Sequence, residues 1–292
     1  MVTEVFARAK INLTLNVLGK RPDGYHEVEM VMQSIELHDR LEFSPGNSGI
    51  SLVVEGGDLS SGGDNLVYRA AELLRLHTGT GAGARIRLHK AIPVAAGLGG
   101  GSSDAAATLS ALNKILGTGL SLDELMLLGG GLGSDVPFCL LGGTALARGR
   151  GERLEKLPPC PPLGLVLVKP PFGVSTASVY RSYKAGPTVK KSSQAMVEAI
   201  RAKNSQGMVE NLTNDLEAVT LVRHPEIAAI KEKLLDAGAL AALMSGSGPT
   251  VFGLARDLES ARAVAARYNR SDELVLVTQT FHSVLTPVSL QE

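Results

Sequence analysis

A chain of 292 residues with 44% apolar side chains has material for one large domain or two ordinary ones and for a sizeable core. Its 29 Lys and Arg balance 29 Asp and Glu, so no net positive field exists to gather a polyanion, and nucleic-acid binding is disfavoured. Cys139 and Cys160 stand far apart in no zinc-binding spacing, no apolar run approaches the roughly 20 residues that span a bilayer, and no secretory pattern opens the chain; a cytoplasmic location is expected.

From the N-terminus, VFARAKINLTLNVLG alternates through Ile11, Leu13, Leu15 and Val17 and predicts a half-buried strand, with Arg8, Lys10, Asn12 and Thr14 together on its other face. Residues 28–43 and 50–54 read as further strands. A helix is expected over 64–77, capped by Asp64 or Asn65 and stopped by Gly79. The strand ARIRLHKAI leads into PVAAGLGGGSS, and the Ala- and Leu-rich run 104–116 predicts a helix ended by Gly117. Short helices after Ser121 and after Asp135, then the hairpin-like TALARGRGERLEKL, carry the chain to PPCPP, which divides it into domains 1–158 and 159–292.

Beyond the prolines come a strand at 165–169, helical material to about residue 236, strands at 240–244 and 250–254, a helix at 258–268 and a strand at 273–280. With the extra helices set aside, the order is β-α-β-β-α-β, that of a ferredoxin-like domain. The expected fold class is α+β.

The loop before the 104–116 helix is the most informative stretch. Gly97, Gly99, Gly100 and Gly101 let backbone amides approach a phosphate chain, and the following helix adds unpaired amides and the positive end of its dipole. Ser102 and Ser103 are placed to cap that helix, to touch phosphate oxygens or to hold the Mg²⁺ that accompanies ATP. A plain glycine linker is the competing reading. A Walker A loop is excluded because the run ends Gly-Ser-Ser-Asp with no lysine, and a dinucleotide fingerprint lacks its third glycine, Ser102 standing there.

The run P-x-x-x-G-L-G-G-G-S-S-D-A-A at 93–106 resembles the phosphate-binding motif of the GHMP kinases, the family of galactokinase and of homoserine, mevalonate and phosphomevalonate kinases. AKINLTLNVLGKRPDGYHE, GSDVPF at 133–138 and MSGSGPTVFG at 244–253 extend the resemblance in order along nearly the whole chain. It implies a two-lobed fold, an N-terminal mixed α/β ATP-binding domain plus a C-terminal ferredoxin-like domain, with nucleotide and acceptor meeting between them. It further implies ATP- and Mg²⁺-dependent phosphorylation of the 2-hydroxyl of a methylerythritol carried on cytidine diphosphate, in non-mevalonate isoprenoid precursor synthesis. The implied partner is that small molecule, with no nucleic acid or membrane, and a monomer or weak homodimer is expected.

By the same resemblance ATP is held by Pro93, Val94, Ala95, Ala96, Gly97, Leu98, Gly99, Gly100, Gly101, Ser102 and Ser103. Asp135 takes the acceptor proton, with Lys10 beside it easing the developing alkoxide. Asn12 contacts the substrate; Tyr25 and His26 meet the cytidine, one by stacking and one through a polar edge, with Tyr180 on the opposite face of the base. Ser245, Gly246, Ser247 and Gly248 close the site. The residues alone also allow Asp135 as a helix cap, Lys10 as a solvated strand lysine, Tyr180 as packing and SGSGPT as a tight turn. Two rival functions are a GHMP kinase for an alcohol without cytidine, opposed by Tyr25-His26, and a non-catalytic or RNA-binding protein on this scaffold, opposed by neutral charge and by Lys10 with Asp135.

Overall fold

The computed structural model describes residues 2–56, 59–184, 192–269 and 271–282, and the backbone of 288–290. Strands β1 (Val2–Lys20) and β2 (His26–Gly46) form a long antiparallel pair. β3 (Ile50–Glu55) runs parallel to β4 (Gly83–His89), which pairs with β2; β5 (Thr144–Gly149) also pairs with β2 and carries β6 (Arg153–Lys156). Helices α1 (Leu66–Thr78), α2 (Gly100–Ile115), α3 (Leu122–Gly130) and α4 (Val136–Leu141) share a core with this sheet, in which Ala105, Ala106 and Leu109 of α2 meet Leu15, Leu41 and Phe43.

Local signals account for these ends. Asn65 Oδ1 caps α1 through the Val67 amide, Gly79 terminates it at φ 67°, and Ser121 opens α3 with a complete capping box to Glu124.

The second half places α5 (Thr176–Ser182), α6 (Ser193–Arg201) and α7 (Ser205–Glu210) after β7 (Gly164–Lys169). Then come β8 (Thr213–Asn214), α8 (Glu217–Arg223), α9 (Pro225–Asp236), the hairpin β9 (Ala241–Met244) and β10 (Val251–Ala255), α10 (Leu258–Arg267) and β11 (Leu274–Gln279). The antiparallel four-stranded sheet runs β11-β7-β10-β9, the spatial order of a split βαβ domain, as expected. Two short strands go back to the first sheet: β8 pairs in parallel with β1, and β12 (Val288–Leu290) pairs antiparallel with the start of β1.

Two expectations need correction. The strict alternation read for β1 is broken by register shifts, at Arg8/Lys10 where β2 carries the surplus residues and at Asn12/Thr14 where β1 carries one, and past each shift the side chains turn to the opposite face. Accordingly Val5, Ala7, Leu15 and Val17 belong to the core beneath α2, whereas Ala9, Ile11 and Leu13 pack with Leu243 and Phe252 of the C-terminal sheet. Arg8 and Thr14 therefore do not share a face with Lys10 and Asn12: Arg8 stacks on Phe281, Thr14 meets Ser193, and Lys10 with Asn12 turns toward α2 and α4. Nor is the strand half-solvated, since Lys10, Asn12 and Thr14 are all buried. The second correction is that α2 begins at Gly100, so the last glycines of the loop form its first turn.

Candidate active site

The glycine loop sits against β1. Ala96 and Leu98 bury their side chains, and the Leu98 carbonyl accepts from the Lys10 amide at 2.9 Å, next to the bulge. Gly99 takes the left-handed conformation at φ 70° and leaves the α2 N-terminus without a side-chain cap, so the first amides of the helix have no acceptor within the protein's helix and face outward. A cavity of about 440 Å³ opens over them. It is lined by Pro93, Val94, Ala95, Ala96, Gly97, Leu98, Gly99, Gly100, Gly101 and Ser102, and by Lys10, Asn12, Asp135, Gly246 and Ser247. Ser103 is the exception among the loop residues, because its buried hydroxyl donates to the Arg8 carbonyl at 2.6 Å. Of the two serines considered for Mg²⁺, only Ser102 reaches the cavity.

Asp135 is no cap. Its backbone is already helical at the start of α4 and its carboxylate makes no capping hydrogen bond; instead Oδ2 lies 3.5 Å from Lys10 Nζ. Lys10 also donates to Asn12 Oδ1 at 2.9 Å, and Asn12 Nδ2 reaches Met30 Sδ at 3.1 Å, so the cation is held from two sides while buried. The register shift between Arg8 and Lys10 is what aims it: Ile35, Glu36 and Leu37 of β2 stand opposite the single residue Ala9, and the side chains of β1 before and after the shift face opposite ways.

Behind the loop lies a charge cluster that the sequence reading missed. Lys90 bridges Asp39 Oδ2 and Asp104 Oδ2, 2.8 Å from the latter, and Asp39 Oδ1 accepts the Ala91 and Ile92 amides at 2.6 and 2.8 Å. Asp104 Oδ1 is buried with no hydrogen-bond partner, and both Lys90 and Asp104 line the cavity. The only hint in the sequence was charge set in small and apolar flanks, just before Pro93 and just after Ser103. Burial pushes the Asp104 carboxyl up to about 8, with Lys90 opposing and Asp39 adding to the rise. Asp39 Oδ1 has two backbone donors where Asp104 Oδ1 has none, and Asp104 is the carboxyl that burial drives toward its protonated form.

A sign follows for stability. The folded-state value lies above that of the unfolded chain, so this group's contribution is complete below about pH 4 and is lost as pH rises through about 8. The melting temperature of the wild type is expected to fall more between about pH 5 and 8 than that of Asp104→Asn, which has nothing to titrate there. Parallel melting curves for the two proteins over that range would rule Asp104 out as the proton carrier.

The remaining predicted contacts form the adjoining walls. Tyr180, on α5, packs its ring on His26 with centroids 5.3 Å apart, and Tyr25 is 54% exposed beneath the Arg150 guanidinium. Burial, joined by the Asp135 charge, raises the Tyr180 hydroxyl above its ordinary value; burial, joined by Lys20, lowers that of His26 and favours its neutral ring. None of these three rings lines the cavity over the glycine loop. The 245–248 segment docks on that loop, with Ser245 Oγ donating to the Gly97 carbonyl at 3.0 Å, and Thr176 Oγ1 lies 2.8 Å from Ser247 Oγ. Gly246 and Ser247 reach the cavity, while Ser245 and Gly248 are buried beneath.

Open amides at a helix N-terminus, facing a lysine paired with a carboxylate, make up machinery for moving a phosphoryl group to an alcohol, and the class they define is that of small-molecule kinases. Comparison with known proteins gives the family. The model of the GHMP kinases N terminal domain matches residues 65–143, that of the GHMP kinases C terminal matches 196–273, and the chain belongs to the GHMP kinases. A 4-diphosphocytidyl-2-C-methyl-D-erythritol kinase of Pelotomaculum thermopropionicum is 69% identical over 97% of this chain and 99% of its own. One from Moorella thermoacetica is 51% identical over 94% of this chain and 97% of its own. Among solved structures, a 4-(cytidine 5'-diphospho)-2C-methyl-D-erythritol kinase superposes with a TM-score of 0.80 at 38% identity, covering 95% of this chain and 99% of that one. A homoserine kinase from Cytophaga hutchinsonii shares the fold, with a TM-score of 0.79 at 21% identity over 98% of this chain and 97% of its own.

Proposed function

We propose that this kinase transfers the γ-phosphoryl group of ATP to the 2-hydroxyl of 4-diphosphocytidyl-2-C-methyl-D-erythritol, giving the 2-phosphate and ADP in the non-mevalonate route to isoprenoid precursors. The observation that carries the proposal is the 3.5 Å pairing of Lys10 with Asp135 on the wall of the glycine-loop cavity, in a chain 69% identical to a kinase of that name.

In the reaction the residues 93–102 hold the triphosphate through backbone amides, which fit charge spread over equatorial oxygens. Asp135 Oδ2 accepts the hydroxyl proton as the oxygen attacks phosphorus, and Lys10 steadies the negative charge on that oxygen. Asn12 fixes the Lys10 ammonium and offers the substrate a polar contact. Mg²⁺, when bound, neutralises phosphate charge; Ser102 is the residue that would hold it, and among the described residues no three His, Cys, Asp or Glu side chains gather as a metal site. Tyr25, His26 and Tyr180 receive the cytidine, the neutral His26 ring reading its polar edge. Ser245, Gly246, Ser247 and Gly248 cover the phosphates from the C-terminal half.

The strands support a domain division between 158 and 159, since the four-stranded sheet lies wholly after it, although β8 and β12 return to the first sheet. The same reading makes the protein a cytoplasmic monomer or weak homodimer that works without nucleic acid or membrane, in keeping with its zero net charge.

Purified protein with Mg-ATP is expected to consume 4-diphosphocytidyl-2-C-methyl-D-erythritol and to leave mevalonate and homoserine unphosphorylated, followed by ADP release and by phosphorus NMR of the product. Comparable turnover of all three alcohols would defeat the assignment of substrate.

A further inference from the structure

One short segment ties the strand that bears Lys10 to the loop that covers it. β8 is a strand of Thr213 and Asn214 only, yet it joins the N-terminal sheet, Thr213 pairing with Thr14 and Asn214 with Leu15. The Asp215 amide donates to the Leu15 carbonyl at 2.9 Å, and Asp215 Oδ2 accepts the Val17 amide at 2.8 Å, which fastens the segment on β1 downstream of Lys10 and Asn12. From this anchor the Asn214 side chain points the other way. Its Nδ2 donates to the Met244 carbonyl at 2.8 Å and to the Gly246 carbonyl at 2.7 Å, while its Oδ1 accepts the Leu216 amide at 3.0 Å.

The residue is buried, and both amide hydrogens and the oxygen are satisfied. That set of partners needs two donors and an acceptor on one short side chain. Aspartate lacks the donors and alanine lacks all three. The loop position thus held is a close one: a Cβ placed on Gly246 would stand 3.3 Å from the Gly97 carbonyl oxygen, 3.4 Å from Lys10 Nζ and 3.6 Å from Asn12 Oδ1.

We infer that Asn214 is a positioning residue for phosphoryl transfer, setting the height of the 245–248 loop over Lys10 and the glycine loop by spanning from β1 to the Met244 and Gly246 carbonyls. It acts through the loop and touches no reacting atom. Thr220 Oγ1, at 3.3 Å from the Ser247 carbonyl, and Thr176 steady the far end of the loop but have no link to β1 comparable to that of β8.

The inference rests on the phosphoryl-transfer reading, and wild-type turnover of the diphosphocytidyl substrate tests that reading separately from the variant-to-wild-type ratio that tests this one. Asn214→Ala and Asn214→Asp are to be assayed for kcat and KM from about pH 6 to 8, with melting temperature as the check on folding. Loss of two hydrogen bonds to the loop is expected to lower kcat roughly tenfold or more at pH 8 in both, with KM for Mg-ATP within about threefold of wild type.

The two variants should then part with pH. A carboxyl buried against carbonyl oxygens holds its proton to higher pH and donates one hydrogen bond while it does so; ionised, it repels both carbonyls. Asn214→Asp is therefore expected to regain kcat relative to Asn214→Ala as pH falls, which a loss of general packing would not produce. Wild-type kcat in folded Asn214→Ala, or a ratio of the two variants that stays flat with pH, overturns the inference. Should neither variant fold, Gly246→Ala, which raises the loop with Asn214 intact, is expected to lower kcat, and an unchanged kcat there overturns it equally.

Discussion

Asp135→Asn is expected to lose about 10²–10⁴-fold in kcat, the usual worth of a positioned general base, while binding Mg-ATP nearly as the wild type does. The substitution is close to isosteric, and Asp135 makes no capping hydrogen bond and is 29% exposed in its side chain, so the fold has little reason to suffer. Lys10 keeps its hydrogen bond to Asn12 Oδ1, which avoids leaving a buried ammonium unpaired. What the variant lacks is a basic oxygen for the hydroxyl proton. The glycine loop proposed to hold the phosphates is backbone from other elements and stays in place. Steady-state kinetics with calorimetric titration of a non-hydrolysable ATP analogue checks both halves of the expectation. Near-normal kcat would remove Asp135 as the base; lost nucleotide affinity would assign it to binding instead.

The second large effect is expected from Gly97→Ala. Gly97 sits at φ 75°, and a Cβ there would lie 2.3 Å from the Ser245 carbonyl oxygen and 3.0 Å from that of Gly248, both main-chain atoms with no rotamer to escape through. The two loops must separate, breaking the hydrogen bond from Ser245 Oγ to the Gly97 carbonyl and carrying the cradle amides out of register. A left-handed alanine costs about 1–2 kcal/mol and overpacking about 1–3 kcal/mol more, so a loss of a few kcal/mol in stability should accompany a KM for Mg-ATP raised tenfold or more. Gly79→Ala is the control. It has a similar φ of 67° with no atom within 4 Å of the added Cβ, and should show the dihedral cost with normal kinetics. Equal behaviour of the two variants would mean that the contact between the loops is of no consequence for catalysis.

Much of the site was legible because its signals are local. Clustered glycines before an alanine-rich run announce exposed amides at a helix start, and the structure builds that cradle from residues 93–102. The order of strands and helices after the prolines was enough to place β7, β9, β10 and β11 in a ferredoxin-like sheet. Ser121 and Gly79 marked their helix ends by cap chemistry that needs only a few neighbouring residues.

Other features depended on partners distant in sequence. Alternation along β1 foretold a strand but not its bulges, which arise from pairing with β2 and which decide that Lys10 and Asn12 face Asp135 while Arg8 and Thr14 turn away. The preference for Asp as a helix cap points to one role for Asp135, and only the approach of Lys10 across the fold shows the carboxylate engaged elsewhere. Lys90, Asp39 and Asp104 are far apart in the sequence, and only folding brings them together out of water. The sequence by itself determined most of the elements, the glycine loop and the family, because each is written in neighbouring residues or in motifs kept in order, whereas the two-residue β8 lay unseen within a stretch read as helical. Tertiary structure alone decided which side chains meet, because burial and hydrogen bonding between remote segments are set by packing and by strand register, where one extra residue reverses a face.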